Sequence, residues 1–388
     1  MRFQSHAVAI LAVVTKTTIA YTPASTLKTD LLAGSALVNL ALHETTQILN
    51  GTQGSCHLSN ASVRREWSTL SNQEREDYNN AVLCLMSKPS QLDSAEVPGA
   101  KTRYDDYVAV HINQTLTIHG TTSFLSWHRY FIHNFEQDLK NLCGFQGSLP
   151  YWNWGKTAED PVNSPMFDGS AYSVGGNGVY EEHNCTEALP TNLNCIPPGE
   201  GGGCVETGPY KGMTVNLGPV SPTLAEAEVV ASSSMFAYNP RCLKRDISLW
   251  VTSQWSTDEM SFNLLTQNPD IYWFQTVMQG DFSSGFYGVH TAGHFTMGGD
   301  PSGDIFASPG DPAFWLHHAQ IDRTWWIWQN QDIAARQNAI SGTITLNNSP
   351  PSRNGTLDDV IEQYTLGAST NISSLMSASA GPFCYIYV

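Results

Sequence analysis

"DPAFWLHHAQIDRTWWIWQNQ" occupies residues 311 to 331, and its reading decides the fold class. Asp311 is a helix cap, and Pro312 sits at the first helical position, where its missing N–H is no loss. No glycine or proline interrupts the run that follows, so it predicts a long helix. The helix carries two adjacent histidines, His317 and His318, on an aromatic-rich background.

The same signals recur upstream. Residues 26–48, "TLKTDLLAGSALVNLALHETTQI", space their apolar residues as a helix does. Ser71 and Glu74 form an S-x-x-E capping box, which predicts a helix over about 72–87 that stops before Pro89. "RYDDYVAVHINQ" puts Tyr104, Tyr107, Val108 and His111 on one face. "SFLSWHRYFIHNFEQDLKNL" is amphipathic, with Gly144 placed to cap its C-terminus. "STDEMSFNLLTQ" opens on a cap cluster. The fold class is mainly α, with few short strands. Residues 155–222 break the pattern: "CIPPGEGGGC" fits neither a helix nor a central strand, and the segment reads as a surface excursion stapled by disulfides.

Composition narrows the function. A net charge of −16 repels phosphate backbones and anionic lipid, and no basic run offsets it, so neither nucleic acid nor a membrane surface is expected as a partner. No later stretch approaches the ~20 apolar residues of a membrane span. The first 20 residues, with Arg2 ahead of the apolar run Ala7 to Val14, are laid out as a secretory signal peptide. Residues 21–388 are then expected to form a single domain. The 8 cysteines contain no C-x-x-C pair, and an even number in an exported chain predicts disulfides. Sequons at Asn50, Asn60, Asn113, Asn184, Asn347, Asn354 and Asn371 fit a secreted glycoprotein.

The 12 histidines are unevenly spread. His111, His119 and His128 fall in one helical block, and His290, His294, His317 and His318 in another. A lone histidine on an apolar face is ordinarily a hydrogen-bonded core residue. Two such sets, one opening with H-x-x-x-H on a helical face, point instead to metal. The stretch "HTAGH" lacks the glutamate of the zinc proteases, because the second position is Thr291. Calcium and magnesium prefer oxygen ligands, whereas all-imidazole sites suit copper, zinc or iron. Three ligands per ion leave a position open for chemistry.

Resemblance narrows the choice to copper. "HGTTSFLSWHRYFIHNFEQDL", "LPYWNW", "HTAGHFTMGGD" and "DPAFWLHHAQIDRTWWIWQ" resemble the copper-binding regions of the type-3 copper proteins, which include tyrosinases, catechol oxidases and hemocyanins. "RREWSTLSNQEREDYNNAVLCLM" resembles the N-terminal helix of fungal tyrosinases. The resemblance implies a central four-helix bundle holding two copper ions, with O2 as co-substrate and a small phenol as substrate. It implies His111, His119 and His128 on the first copper and His290, His294 and His318 on the second. His317 then lies behind the ligands or lines the substrate pocket. Asp322, four residues after His318, is expected to hold a ligand imidazole's free N–H. Phe295 and Trp315 are candidates to stack on the substrate ring.

The chain departs from many relatives in informative places. Thr117 stands where a cysteine can form a thioether to the second ligand, and Asn153 replaces an aspartate. Thr291 replaces an asparagine after the first ligand of the second copper. The glutamate that pairs with that asparagine in tyrosinases has no counterpart between Glu259 and His290, and Gln279 is the nearest candidate. The expectation is a secreted o-diphenol oxidase with weak or variable monophenol hydroxylation. The alternatives are a full tyrosinase and a hemocyanin-like O2 carrier. The closing "YIY" resembles the end of the family's catalytic domain, which implies a short form without a C-terminal lid domain.

Overall fold

The computed structural model describes residues 27–187, 195–221, 234–281 and 284–388. The expected signal peptide lies outside them. The longer helices are α1 (Lys28–Asn50), α2 (Asn72–Ser87), α3 (Arg103–Ile118), α4 (Phe124–Cys143), α5 (Leu249–Trp255), α6 (Asp258–Gln267), α7 (Ile271–Gln279), α8 (Gly288–Met297) and α9 (Ala313–Gln331).

The local signals operate as read. Ser71 and Glu74 close a capping box at the head of α2. Thr102 and Asp105 form a second one at the head of α3. Gly144 ends α4 with φ 72°, a left-handed conformation that costs glycine little. Asp311 accepts from the Ala313 amide at 2.8 Å, which caps α9. Every residue of α9 from Ala313 to Asn330 is buried, as expected of a helix enclosed by its neighbours. It packs on α1, α4 and α8.

The strands come in two-stranded pairs. Ser62–Arg64 runs parallel to Tyr385–Tyr387, which brings the C-terminus to the start of the core. The Cys56–Cys384 disulfide fastens this pair, and Cys84–Cys143 ties α2 to α4. Cys185–Cys195 and Cys204–Cys242 staple the excursion. No cysteine is left free.

The excursion corrects the expectation in one respect: much of it is core rather than surface. Phe167, Val174, Val205, Tyr210 and Leu217 are buried. Arg245 explains why. Its guanidinium, fully buried, donates to the carbonyls of Val174, Gly175 and Gly176. It also pairs with Asp311, so the loop is pinned to the head of α9. Glycine permits the close approach: a Cβ on Gly178 would stand 2.1 Å from the Gly203 carbonyl oxygen. All the sequon asparagines are exposed. Among the described residues, no helix is long and apolar enough to cross a membrane.

Candidate metal centre

Four helices bring the histidines together. His111 is on α3, and His119 is the residue that ends it. His128 is on α4, His290 and His294 are on α8, and His317 and His318 are on α9. They form two groups, His111/His119/His128 and His290/His294/His317/His318, within each of which the candidate ligand atoms lie within 4.8 Å of one another. The groups face each other: His128 stacks on His318 with ring centroids 4.6 Å apart, and His119 lies 5.9 Å from His290.

Backbone carbonyls fix the first trio. Nδ1 of His111 donates to Phe306 O at 2.7 Å. Nδ1 of His119 donates to Thr115 O at 3.0 Å, and that of His128 to Phe124 O at 2.8 Å. A carbonyl only accepts, so each neutral ring carries its proton on Nδ1 and keeps a lone pair on Nε2. The Nε2 atoms of His111 and His128 are buried without a hydrogen-bond partner. Such orphans are costly unless something binds them.

The second group shows the same need. His290 Nε2 is buried and unpartnered. Nε2 of His294 and Nε2 of His318 stand 3.3 Å apart. That spacing suits two ligands of one tetrahedral ion at ~2.0 Å each. Burial holds His111, His128, His290 and His318 well below the ordinary imidazole range, with neighbouring imidazoles adding to the effect. Burial likewise takes His119 down to about 4 and His294 to about 3. Neutral imidazoles are what a transition metal binds. The donor set therefore fits a metal, and its all-nitrogen character fits copper.

Several expectations about the surroundings are revised. Asp322 touches no ligand imidazole. It accepts from Arg129 Nε at 2.6 Å and from the hydroxyls of Tyr385 and Tyr387 at 2.6 Å each. Arg64 lies 3.4 Å away. It thus anchors the C-terminal strand, and the orienting role falls to carbonyls. Trp315 is fully buried and stacked on Phe135 with centroids 3.6 Å apart, so it packs the core and presents no open face to a substrate ring. Phe295, 7% exposed, packs with Tyr287, Trp255 and Ile196 in a small apolar cluster. His317 is buried, as most of the proposed ligands are, and packs against Trp154 and the Gly293 backbone.

Thr291 and Gln279 do meet. The Thr291 hydroxyl donates to the Gln279 carbonyl oxygen at 2.8 Å. The Gln279 side chain accepts from the Gly120 amide at 2.8 Å and donates to Gln275 O at 3.1 Å. It therefore braces the turn just after His119. The Asn153 amide donates to Asp30 at 3.1 Å, and Asp30 also pairs with Arg323. An aspartate at 153 would confront that carboxylate, so α1 supplies the charge that the motif lacks here. Thr117 is exposed and bonds Gln114 O, away from His119.

Sequence reasoning missed Trp154 and Gly293. Trp154 Nε1 donates to His317 Nδ1 at 3.1 Å. A Cβ on Gly293 would fall 2.1 Å from the His317 ring. The glycine inside "HTAGH" was the available signal for such a close approach.

Comparison with known proteins agrees with this geometry. Residues 101–331 match the family described as the common central domain of tyrosinase. Tyrosinase P of Aspergillus terreus is 41% identical over 333 residues, covering 84% of this chain and 91% of that protein. N-acetyl-6-hydroxytryptophan oxidase ivoB of Emericella nidulans is 37% identical over 345 residues, covering 86% and 93%. A solved polyphenol oxidase from Thermothelomyces thermophila, a point mutant, superposes with a TM-score of 0.85 at 40% identity, covering 92% of this chain and 97% of that one. The chain belongs to the tyrosinase family. The family and the two histidine groups together imply a dinuclear copper site and an oxidase acting on small phenols.

Proposed function

We propose that the chain is a secreted, glycosylated copper oxidase that converts o-diphenols to o-quinones while reducing O2 to water. His111, His119 and His128 hold one copper; His290, His294 and His318 hold the other. The bound coppers supply the O2 binding and the electron transfer. Two diphenols each lose two electrons and two protons, and one O2 becomes two waters.

The observation that carries the diphenol reading is the locked pair at the second site. Thr291 spends its hydroxyl on a backbone carbonyl, and both ends of the Gln279 amide are already bonded. Neither a hydroxyl nor a carboxamide is a base at neutral pH, so neither takes the phenol's proton as a carboxylate would. A phenol must then lose its proton without help from this pair, and o-diphenols ionise more easily than simple phenols. Exported disulfides and exposed sequons support secretion and glycosylation.

The experiment pairs copper analysis with substrate scope. About two coppers per chain and fast O2 uptake with catechol, slow with tyrosol, are expected. Zinc in place of copper, or no steady O2 uptake, would sink the oxidase reading, and the latter would favour an O2 carrier. Rapid attack on tyrosol by the unaltered chain would refute the argument from Thr291 and Gln279 and favour a full tyrosinase. A hydroxyindole belongs in the panel, because the ivoB relative is named for one.

A further inference from the structure

The second histidine group contains four imidazoles where a catalytic ion needs three and an open position. Something must keep the fourth out. His317 is adjacent in sequence to a proposed ligand and fully buried. Its ring lies nearly parallel to that of His290, with centroids 5.8 Å apart, and edge-on to His294 at 4.7 Å. Distance alone does not disqualify it.

Its hydrogen bond does. The indole N–H of Trp154 can only donate, and at 3.1 Å it donates to Nδ1 of His317. Nδ1 is therefore unprotonated and its lone pair is engaged. The ring proton must then sit on Nε2, which leaves that nitrogen no lone pair either. Neither nitrogen can ligate a metal while the Trp154 bond persists. Trp154 is itself fully buried at the start of a short helix, Trp154–Thr157, so the indole is held in place. The flat approach of the His317 ring to the α8 backbone, permitted by Gly293, leaves it little room to turn.

We propose that Trp154 is a positioning residue that fixes the tautomer of His317 and thereby keeps the fourth imidazole out of the second copper's coordination. It preserves the open position to which O2 or substrate comes. This rests on the dicopper reading above. Removing the indole N–H frees Nδ1 and lets the ring carry its proton on either nitrogen. His317 then competes for the open position.

The test uses holoprotein. In the reduced, Cu(I)-loaded wild type labelled with 15N-histidine, one histidine signal disappears in His317→Gln. That signal is expected to report a proton on Nε2 and no metal bond. Glutamine can accept from Trp154 through its amide oxygen and has no imidazole nitrogen with which to ligate, so His317→Gln should retain two coppers and normal azide binding in the Cu(II) form. Trp154→Phe should bind azide about tenfold more weakly or worse. The double variant Trp154→Phe/His317→Gln should recover azide affinity, which a merely structural defect would not do. A proton on Nδ1, a copper lost in His317→Gln, or wild-type azide binding in Trp154→Phe would each overturn the proposal. The first two readouts hold even where Trp154→Phe fails to fold. A wild-type chain that takes up no copper refutes the dicopper reading, whereas normal copper with the proton on Nδ1 refutes only the role of Trp154.

Discussion

Replacing Asp322 by asparagine separates two roles that the sequence alone confuses. The residue lies four positions after a proposed copper ligand, yet its partners are Arg129, Arg64, Tyr385 and Tyr387. Asparagine keeps the shape and removes the charge. Arg64 would retain Glu136, at 2.5 Å. Arg129 would not fare as well. Its remaining acceptors are the neutral Leu375 and Met376 carbonyls and the Gln329 amide oxygen. A buried guanidinium would be left without its carboxylate, a change that costs about 3–5 kcal/mol. Urea denaturation of the copper-loaded protein, read by tryptophan fluorescence, measures that loss as a lower midpoint. Copper per folded chain should stay at the wild-type level, because no ligand imidazole depends on Asp322. A stability loss below about 1 kcal/mol would refute the energetic argument. Depleted copper at unchanged stability would show that Asp322 acts on the metal after all.

Other perturbations follow from the same contacts. Gly293→Ala drives a methyl into the His317 ring, 2.1 Å away. Overpacking of this kind costs about 1–3 kcal/mol, and here it should empty the second site, leaving about half the wild-type copper by elemental analysis. Glu136 supplies a pH dependence: burial raises its carboxyl, but Arg64 and Lys140 outweigh that and hold it at about 2. The unfolded value is near 4.3, so its stabilisation is complete above that pH and is lost as pH falls towards 2. Acid unfolding curves of Glu136→Gln should be flatter across that window, and an unchanged slope would contradict the assignment. Replacing both Cys56 and Cys384 with alanine opens a loop of 328 residues and should cost up to about 5 kcal/mol in thermal or urea unfolding, with the first fraying at the Tyr385–Tyr387 strand.

Much of the molecule was legible because its signals are local. The Ser71 box, the Gly144 cap and the Asp311–Pro312 start each depend on residues within one turn, and each sits where the spacing put it. The histidine groups were legible for another reason: imidazole is rare enough that two sets on helical faces mean metal. What was not legible involves long separations or atoms without residue identity. Asp322 meets Arg129 across 193 positions and Arg64 across 258. The acceptors that orient His111, His119 and His128 are main-chain carbonyls, which any residue at those positions would offer. The burial of the excursion depends on one arginine, Arg245, lying outside it.

The replacement of carboxylate by carbonyl around the ligands bears on the chemistry. A carboxylate bonded to a ligand's N–H raises that imidazole's basicity and adds negative charge beside the metal. Here the first trio leans on three neutral carbonyls, and among the described residues each metal-binding group contains histidine only. The nearby buried carboxylates are matched elsewhere, Asp322 by Arg129 and Asp311 by Arg245. The proposed site is therefore six neutral imidazoles in a low-dielectric pocket, and the carboxylate that acts on a ligand, Asp311 on His294, is offset by its own ion pair with Arg245. Such a shell keeps Cu(I) within reach, and a centre that must be reduced by one substrate and oxidised by another requires that. Placing a carboxylate beside a ligand, as Phe306 cannot do through its backbone, would push the balance towards Cu(II) and slow the reduction by diphenol before it touched O2 binding.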